Sequence, residues 1–411
     1  MRAHSTASKM GDSDAGAQLA AFVAFFAIFP ILFKNYFGYH LFPPRVHTIG
    51  VDLGTTHSLV AYMDPTNFSV KVLKSVPSIV TFLPNGTRVV GNPGLLKERP
   101  RQTIFEAKQF LGLTYDQYMS DDALKRFPFR VTSLNSGRDV GFIVPSSAHK
   151  VNMYTPLDVG KEVVLELYRR LVDHLGYSST VNQVVIATPA EFTTEQKALT
   201  AKIFENAGLK VIRVLDEPTA AAIAYGLEND ATMNNVIVYD WGGGTLDIAL
   251  LWVQNSNLQL LATDGNRFFG GADLDICFAE SLAAHFRGTD EEKTNCPFYE
   301  LRRAAEIAKE ELSLEEATSV ACGGVVRRVS RDDFENACES VLKRAMEPLS
   351  RLLKDSHMDP ADVDAVVLVG GSTRVPYVRR KIKEMFNGKP ALTNIDPDTA
   401  VAVGAARASD D

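Results

Sequence analysis

From residue 48 onward, short apolar runs alternate with longer stretches whose apolar positions recur every three or four residues. Uninterrupted apolar runs of four to six residues read as buried strands, and the 3.6-residue period reads as helix. The chain is organised around residues 236–247. Val236 to Tyr239 is wholly apolar and Asp240 closes it. Gly242, Gly243 and Gly244 then allow a sharp turn, and Thr245 leads into a second run, apolar except for Asp247. This pattern predicts a strand-turn-strand whose turn exposes consecutive backbone N–H groups, a concavity that suits a phosphate. A plain tight hairpin satisfies the same pattern.

The chain writes this unit twice. Residues 48–62 give an apolar strand, Asp52, a small-residue turn at Gly54, Thr55 and Thr56, and a second apolar strand. Asp240 lies 188 positions after Asp52. The strand and helix around Val185 recur around Val367, and the Pro-Thr-Ala-type helix at Pro218 recurs at Pro397, at nearly the same offset. Three elements in one order at one offset predict two lobes of common topology, each offering a phosphate turn to a shared cleft. The lobes span 45–229 and 230–411.

Other elements follow from local signals. Ile79–Leu83 and Thr87–Gly91 read as a hairpin about Asn85-Gly86. Thr103–Gly112 reads as a short amphipathic helix, and Phe127–Val131 with Asp139–Val144 as a second hairpin. Helices are expected at Pro156–Leu175, Thr193–Ala207, Asp216–Leu227, Ala272–Phe286, Phe298–Leu314, Arg331–Leu353 and Asp398–Arg407, with one more ending at Phe386. Strands are expected at Val184–Ala187, Leu209–Leu215 and Val363–Val369. Alternating strands and helices make this an α/β chain with mixed sheets.

Composition adds bounds. The 411 residues are 45% hydrophobic and 23% charged, ordinary for a globular chain large enough for two domains. A net charge of −7 argues against nucleic acid as a partner. Cys277, Cys296, Cys322 and Cys338 have no metal-ligand spacing and read as core thiols, not as a disulfide framework. Asn67-Phe-Ser69 and Asn85-Gly-Thr87 are glycosylation triplets.

Residues 1–44 stand apart. Leu19 to Phe33 is wholly apolar and Lys34 ends it. The run fits the apolar core of a signal peptide or an uncleaved signal anchor, with Pro43-Pro44 as linker. A core helix is the alternative, although the run shows no polar face. Secretion-pathway targeting to the endoplasmic reticulum lumen or membrane follows, with membrane contact through this segment alone.

Four segments together resemble the signatures of the 70-kDa heat-shock protein family. They are Ile49-Gly-Val-Asp-Leu-Gly-Thr-Thr56, Val211-Ile-Arg-Val-Leu-Asp-Glu-Pro-Thr-Ala-Ala-Ala-Ile-Ala-Tyr-Gly226, Asp240-Trp-Gly-Gly-Gly-Thr-Leu-Asp247 and Val367-Leu-Val-Gly-Gly-Ser-Thr-Arg374, in the family's order. The resemblance implies an actin-like ATPase fold with ATP or ADP and Mg²⁺ in the cleft, and K⁺ nearby. By that resemblance Asp52, Asp240 and Glu217 hold the hydrated magnesium. Thr55, Thr56, Gly242, Gly243, Gly244 and Thr245 form the phosphate loops, and Lys108 orients the attacking water. Glu306, Lys309 and Ser313 match ribose and adenine contacts. Gly270, Gly271, Gly370, Gly371, Ser372 and Arg374 match the adenosine-side loops, and Asp398 a residue of the monovalent-cation region. Without the resemblance, Lys108 reads as a solvated charge and Glu306 with Lys309 as a surface pair.

Departures from the family pattern narrow the expectation. The sequence ends at Asp411, before the linker, β-rich peptide-binding domain and lid of a full chaperone. With Thr188-Pro-Ala-Glu-Phe192 and the N-terminal apolar run, it is closest to the Stch-type branch, an ATPase core without direct peptide binding; a truncated gene model gives the same ending. Glu310 stands where the family has an arginine stacked on adenine, and His57 replaces a common tyrosine. The expected function is slow ATP hydrolysis that drives lobe closure, read by J-domain-type or nucleotide-exchange co-chaperones. A nucleotide-sensing pseudo-ATPase and a small-molecule kinase of the same superfold are the alternatives.

Overall fold

Register carries the duplication into three dimensions. The computed structural model describes residues 45–409, apart from 121–126, 148–149, 177–180, 231, 256 and 287–295, together with 23–25 and 28–29. Strand β1 (Thr48–Asp52) runs parallel to β11 (Gln183–Thr188), with Gly50 opposite Val185 and Asp52 opposite Ala187. Strand β13 (Asn235–Trp241) runs parallel to β18 (Ala365–Val369), with Val238 opposite Val367 and Asp240 opposite Val369. These pairs are the ones the sequence offsets put in correspondence.

The rest of each sheet follows the same order. The first sheet runs β12 (Lys210–Asp216), β11, β1, β2 (His57–Met63) and β3 (Val70–Val72), with two-residue β4 (Val76–Pro77) also on β2. The second runs β15 (Asn257–Asn266), β14 (Leu246–Gln254), β13 and β18. Where the first sheet has β12, the second has one parallel bridge from Val367 to Leu392. Three smaller sheets complete the strands: β6 (Arg88–Val90), β5 (Ile79–Phe82) and β7 (Thr103–Phe105); β10 (Lys150–Tyr154), β9 (Asp139–Ser147) and β8 (Arg130–Leu134); and the hairpin β16 (Ala317–Cys322) with β17 (Val325–Ser330).

Helices begin where their capping residues say. Thr155 and Asp158 close a reciprocal cap on α1 (Pro156–Leu175), and Thr193 with Gln196 does so on α2 (Thr194–Asn206). Helix α3 (Glu217–Tyr225) has Pro218 in its first turn and Gly226 after its last. Helices α4 (Gly271–Phe286) and α5 (Phe298–Leu312) follow β15. Then come α6 (Arg331–Ala337), α7 (Glu339–Asp355), α8 (Pro376–Met385) and α9 (Ala400–Arg407).

Helices α3 and α9 close the two repeats, and their small side chains are buried together with both sheets in one apolar cluster. Small residues let the backbones meet. A Cβ on Gly404 of α9 would lie 1.7 Å from the Ala220 carbonyl oxygen of α3. The two repeats therefore share a core at this contact.

Three expectations change, and a fourth falls largely outside the described residues. Thr103–Gly112 is not one helix: Thr103–Phe105 pairs with β5, Glu106 is left-handed at φ 53°, and only Ala107–Phe110 coils, as a 3-10 turn. The β-branched and aromatic residues there favour the ladder over the helix. Arg331–Leu353 is two helices, broken at Cys338 (φ −104°, ψ 20°). The cysteines are not free thiols: Cys277 is joined to Cys338 and Cys296 to Cys322, with Cα separations of 5.8 and 5.5 Å. Topology brings together residues that sequence spacing keeps apart. Finally, most of the Leu19–Phe33 run lies outside the described residues. Among those that are described, no helix is long and apolar enough to cross a membrane.

Two outcomes are expected. The disulfides close loops of 61 and 26 residues, and chain entropy assigns each about 3–4 kcal/mol. Cys277→Ser and Cys296→Ser should each lower the melting temperature, and reductant should lower the wild type but not the double variant further. A wild-type melt unchanged by reductant under denaturing pre-incubation would contradict the pairing. Gly404→Val should destabilise by at least about 1–3 kcal/mol through overpacking; a wild-type urea midpoint for that variant would show that α3 and α9 separate freely.

Candidate functional site

Asp52 ends β1 and Asp240 lies one residue before the end of β13, and both line the floor of one cleft of about 600 Å³. Antiparallel pairing of β13 with β14 sets Asp247 directly opposite Asp240. Glu217 enters as the first residue of α3. Lys108 reaches them from the 3-10 turn after β7, its Nζ donating to Glu217 Oε1 at 2.9 Å. Both side chains are 8% exposed.

This cluster is electrostatically crowded. Burial, then the Glu217 charge, pushes the Asp52 carboxyl up to about 7. The same two causes take Asp247 up to about 8 and Asp240 well above the carboxylate range. Lys108 pulls all three back without restoring them. Burial works against the Lys108 ammonium, but Glu217 and Asp52 outweigh it and raise its pKa. Asp247 Oδ2 is buried with no hydrogen-bond partner among the described residues.

Glycine loops roof this floor. The Gly271 amide donates to the Gly242 carbonyl at 2.9 Å, the Ala272 amide to Gly243 at 2.9 Å, and Ser372 Oγ to Gly242 at 2.9 Å. The approach is close: a Cβ on Gly270 would lie 2.4 Å from the Gly243–Gly244 backbone. Only glycine permits it. Gly54, Thr55, Thr56, Gly242, Gly243, Thr245, Gly271, Gly370, Gly371 and Ser372 line the cleft. Gly244 and Gly270 are not among the lining residues. Gly244 instead accepts from the buried Gln109 amide at 3.4 Å, and Gly270 packs on the turn.

One face of α5 forms the opposite wall. Arg302, Arg303, Glu306, Lys309, Glu310 and Ser313 all face the cleft. Their charges pair locally. Arg303 meets Glu306 at 2.5 Å, Arg302 meets Glu106 at 2.6 Å, and Lys309 meets Asp275 of α4 at 2.6 Å. Glu306 and Lys309 are thus not a surface pair. At the rim Arg374 is held by Asp396 and, at 2.9 Å, by Asp398. The structure therefore brings Lys108, Glu217, Asp240, Thr245, Asp52 and the α5 residues to one cavity, with Arg374 and Asp398 joined at its edge.

Sequence reasoning assigned no role to Asp247, Asp275, Arg302 or Glu106. Asp247 carried a signal, since a carboxylate inside an apolar strand is costly without a partner. Asp275 carried none, because its partner lies on the next helix.

A magnesium ion fits the donor set. The floor offers hard carboxylate oxygens whose mutual repulsion a divalent cation relieves. Among the described residues no group of three His, Cys, Asp or Glu is gathered closely enough to hold a metal ion by itself, so the carboxylates would act on a hydrated ion. The strand-end carboxylates, the glycine turns and the duplicated sheets agree with a comparison covering nearly the whole folded part. The family's model matches residues 48–410, and the chain belongs to the Hsp70 protein family, whose members are ATPases that bind nucleotide with magnesium.

Proposed function

We propose that this chain is a nucleotide switch that hydrolyses ATP slowly and signals its state by closure of two lobes, 45–229 and 230–411. The crowded carboxylate floor around Lys108 carries this reading. Asp52, Asp240 and Glu217 would hold the hydrated magnesium, which when bound neutralises phosphate charge. The Gly54–Thr56 and Gly242–Thr245 turns both reach the cleft, and backbone amides of such turns suit phosphate oxygens. Lys108, held by Glu217, is positioned to orient a water for in-line attack with Thr245 beside it. Lys309, Ser313, Glu306 and the Gly370–Ser372 loop supply donors and acceptors for the nucleoside end. Asp398 is the candidate for a K⁺-linked role.

Location belongs to the same proposal. Two disulfides support a secretory-pathway protein, since such bonds persist in oxidising compartments. The apolar run at 19–33 supports delivery there as signal or anchor. A Stch-type assignment rests on Glu191 in Thr188-Pro-Ala-Glu-Phe192 together with that run, and co-chaperones of the J-domain or nucleotide-exchange type are the expected partners.

Single-turnover hydrolysis of labelled ATP tests the reading. Wild type should release phosphate in a magnesium-dependent step, Lys108→Ala should lose release by about 10²-fold or more while retaining ATP, and Asp240→Asn should lose the magnesium dependence. Tight ATP binding with no turnover by wild type would instead favour a nucleotide sensor. Glu310→Arg should tighten ATP by about 2- to 30-fold, the gain of roughly 0.5–2 kcal/mol from cation–π stacking on the base; unchanged affinity would remove Glu310 from the base site.

A further inference from the structure

We infer that Asp275 is a positioning residue for the nucleoside wall: it fixes the Lys309 ammonium against the Gly271 loop and keeps it from its own helix. The inference rests on the nucleotide reading above for its consequence, but not for its geometry. Asp275 is 4% exposed, lines the cleft, and meets Lys309 Nζ at 2.6 Å. Lys309 Nζ also donates to the Gly271 carbonyl at 3.3 Å. That carbonyl belongs to the loop stitched to the phosphate turn at Gly242. The ammonium therefore bridges α5 to the loop between the phosphate and nucleoside ends of the cleft.

The alternative partner for Lys309 is Glu306, one turn earlier on α5 and engaged by Arg303. Without Asp275, attraction along the helix draws the ammonium toward Glu306 and away from Gly271. Asp275 wins through proximity and burial, where an ion pair is little screened. Its own position is fixed from behind. Cys277, two residues on, is joined to Cys338 at the break between α6 and α7. Burial drives the Asp275 carboxyl up to about 6, and the Lys309 charge opposes that rise.

The test uses the full chain as wild type, Asp275→Asn, Lys309→Met and the double variant. Acetylation of Lys309, read by peptide mass spectrometry at neutral pH, reports the pair without nucleotide. Wild type should resist labelling, and Asp275→Asn should label about tenfold faster or more, since each unit lost from the lysine pKa frees ten times more amine. ADP affinity should fall about tenfold in Asp275→Asn with single-turnover kcat within about twofold of wild type. The double variant should bind ADP no more weakly than Lys309→Met, because the carboxylate acts through that lysine. Equal Lys309 labelling in wild type and Asp275→Asn overturns the inference, and so do losses of affinity that add. A wild type that binds no adenine nucleotide overturns the function proposed above, and labelling alone then decides the Asp275 role. Should Asp275→Asn not fold, Asp275→Glu should keep Lys309 protected yet weaken ADP through a displaced ammonium; wild-type ADP affinity in that variant overturns the inference.

Discussion

Four carboxylates gathered around one ammonium are the constraint on which this structure turns. Asp52, Glu217, Asp240 and Asp247 cannot all ionise comfortably in a buried floor, and Lys108 alone does not balance them. Such a cluster persists because the surrounding fold over-determines it. Two are strand-end residues fixed by parallel ladders, one faces Asp240 through an antiparallel register, and one starts a helix. Moving any one away means breaking a sheet or uncapping a helix. The scaffold thus holds these carboxylates together at a cost that their own ionisation cannot relieve.

Duplication explains why the floor exists at all. Each repeat ends a buried strand in an aspartate, turns through small residues, and later sends an alanine-rich helix behind the sheet. When α3 and α9 pack through Gly404 against Ala220, the two aspartates point into a common space. Bulk in either helix would prise the floor apart before it touched any charged group. The packing of small residues is therefore as much a part of the site as the carboxylates.

The sequence made the repeats legible because their signals are local. An apolar run, a carboxylate and a glycine turn lie next to one another in the chain, and the offset between Asp52 and Asp240 exposed the duplication. The helices expected at Pro156–Leu175 and Thr193–Ala207 were legible for the same reason and form at Pro156–Leu175 and Thr194–Asn206. What escaped depended on partners distant in sequence. Thr103–Phe105 had helical spacing, yet β5 supplied a ladder. The hairpin β16–β17 carries arginines and small residues with weak alternation, and exposed positions such as Val326 gave no buried face to read. The cysteines were misjudged because spacing says nothing of which side chains a fold brings within reach.

The pairing of charges on α5 shows how such distant partners shape a binding wall. Arg302, Arg303 and Lys309 come from one helix face and would present a plain basic strip. Each instead has its own acid from a different place: Glu106 beside the Lys108 turn, Glu306 on α5 itself, and Asp275 on α4. The wall is thereby tied to the carboxylate floor at one point and to the glycine loop at another. Cys296 joins the chain just before α5 to Cys322 of β16, so the helix is tethered at the end its charges do not reach. A polar wall arranged this way has its donors already oriented by the fold itself.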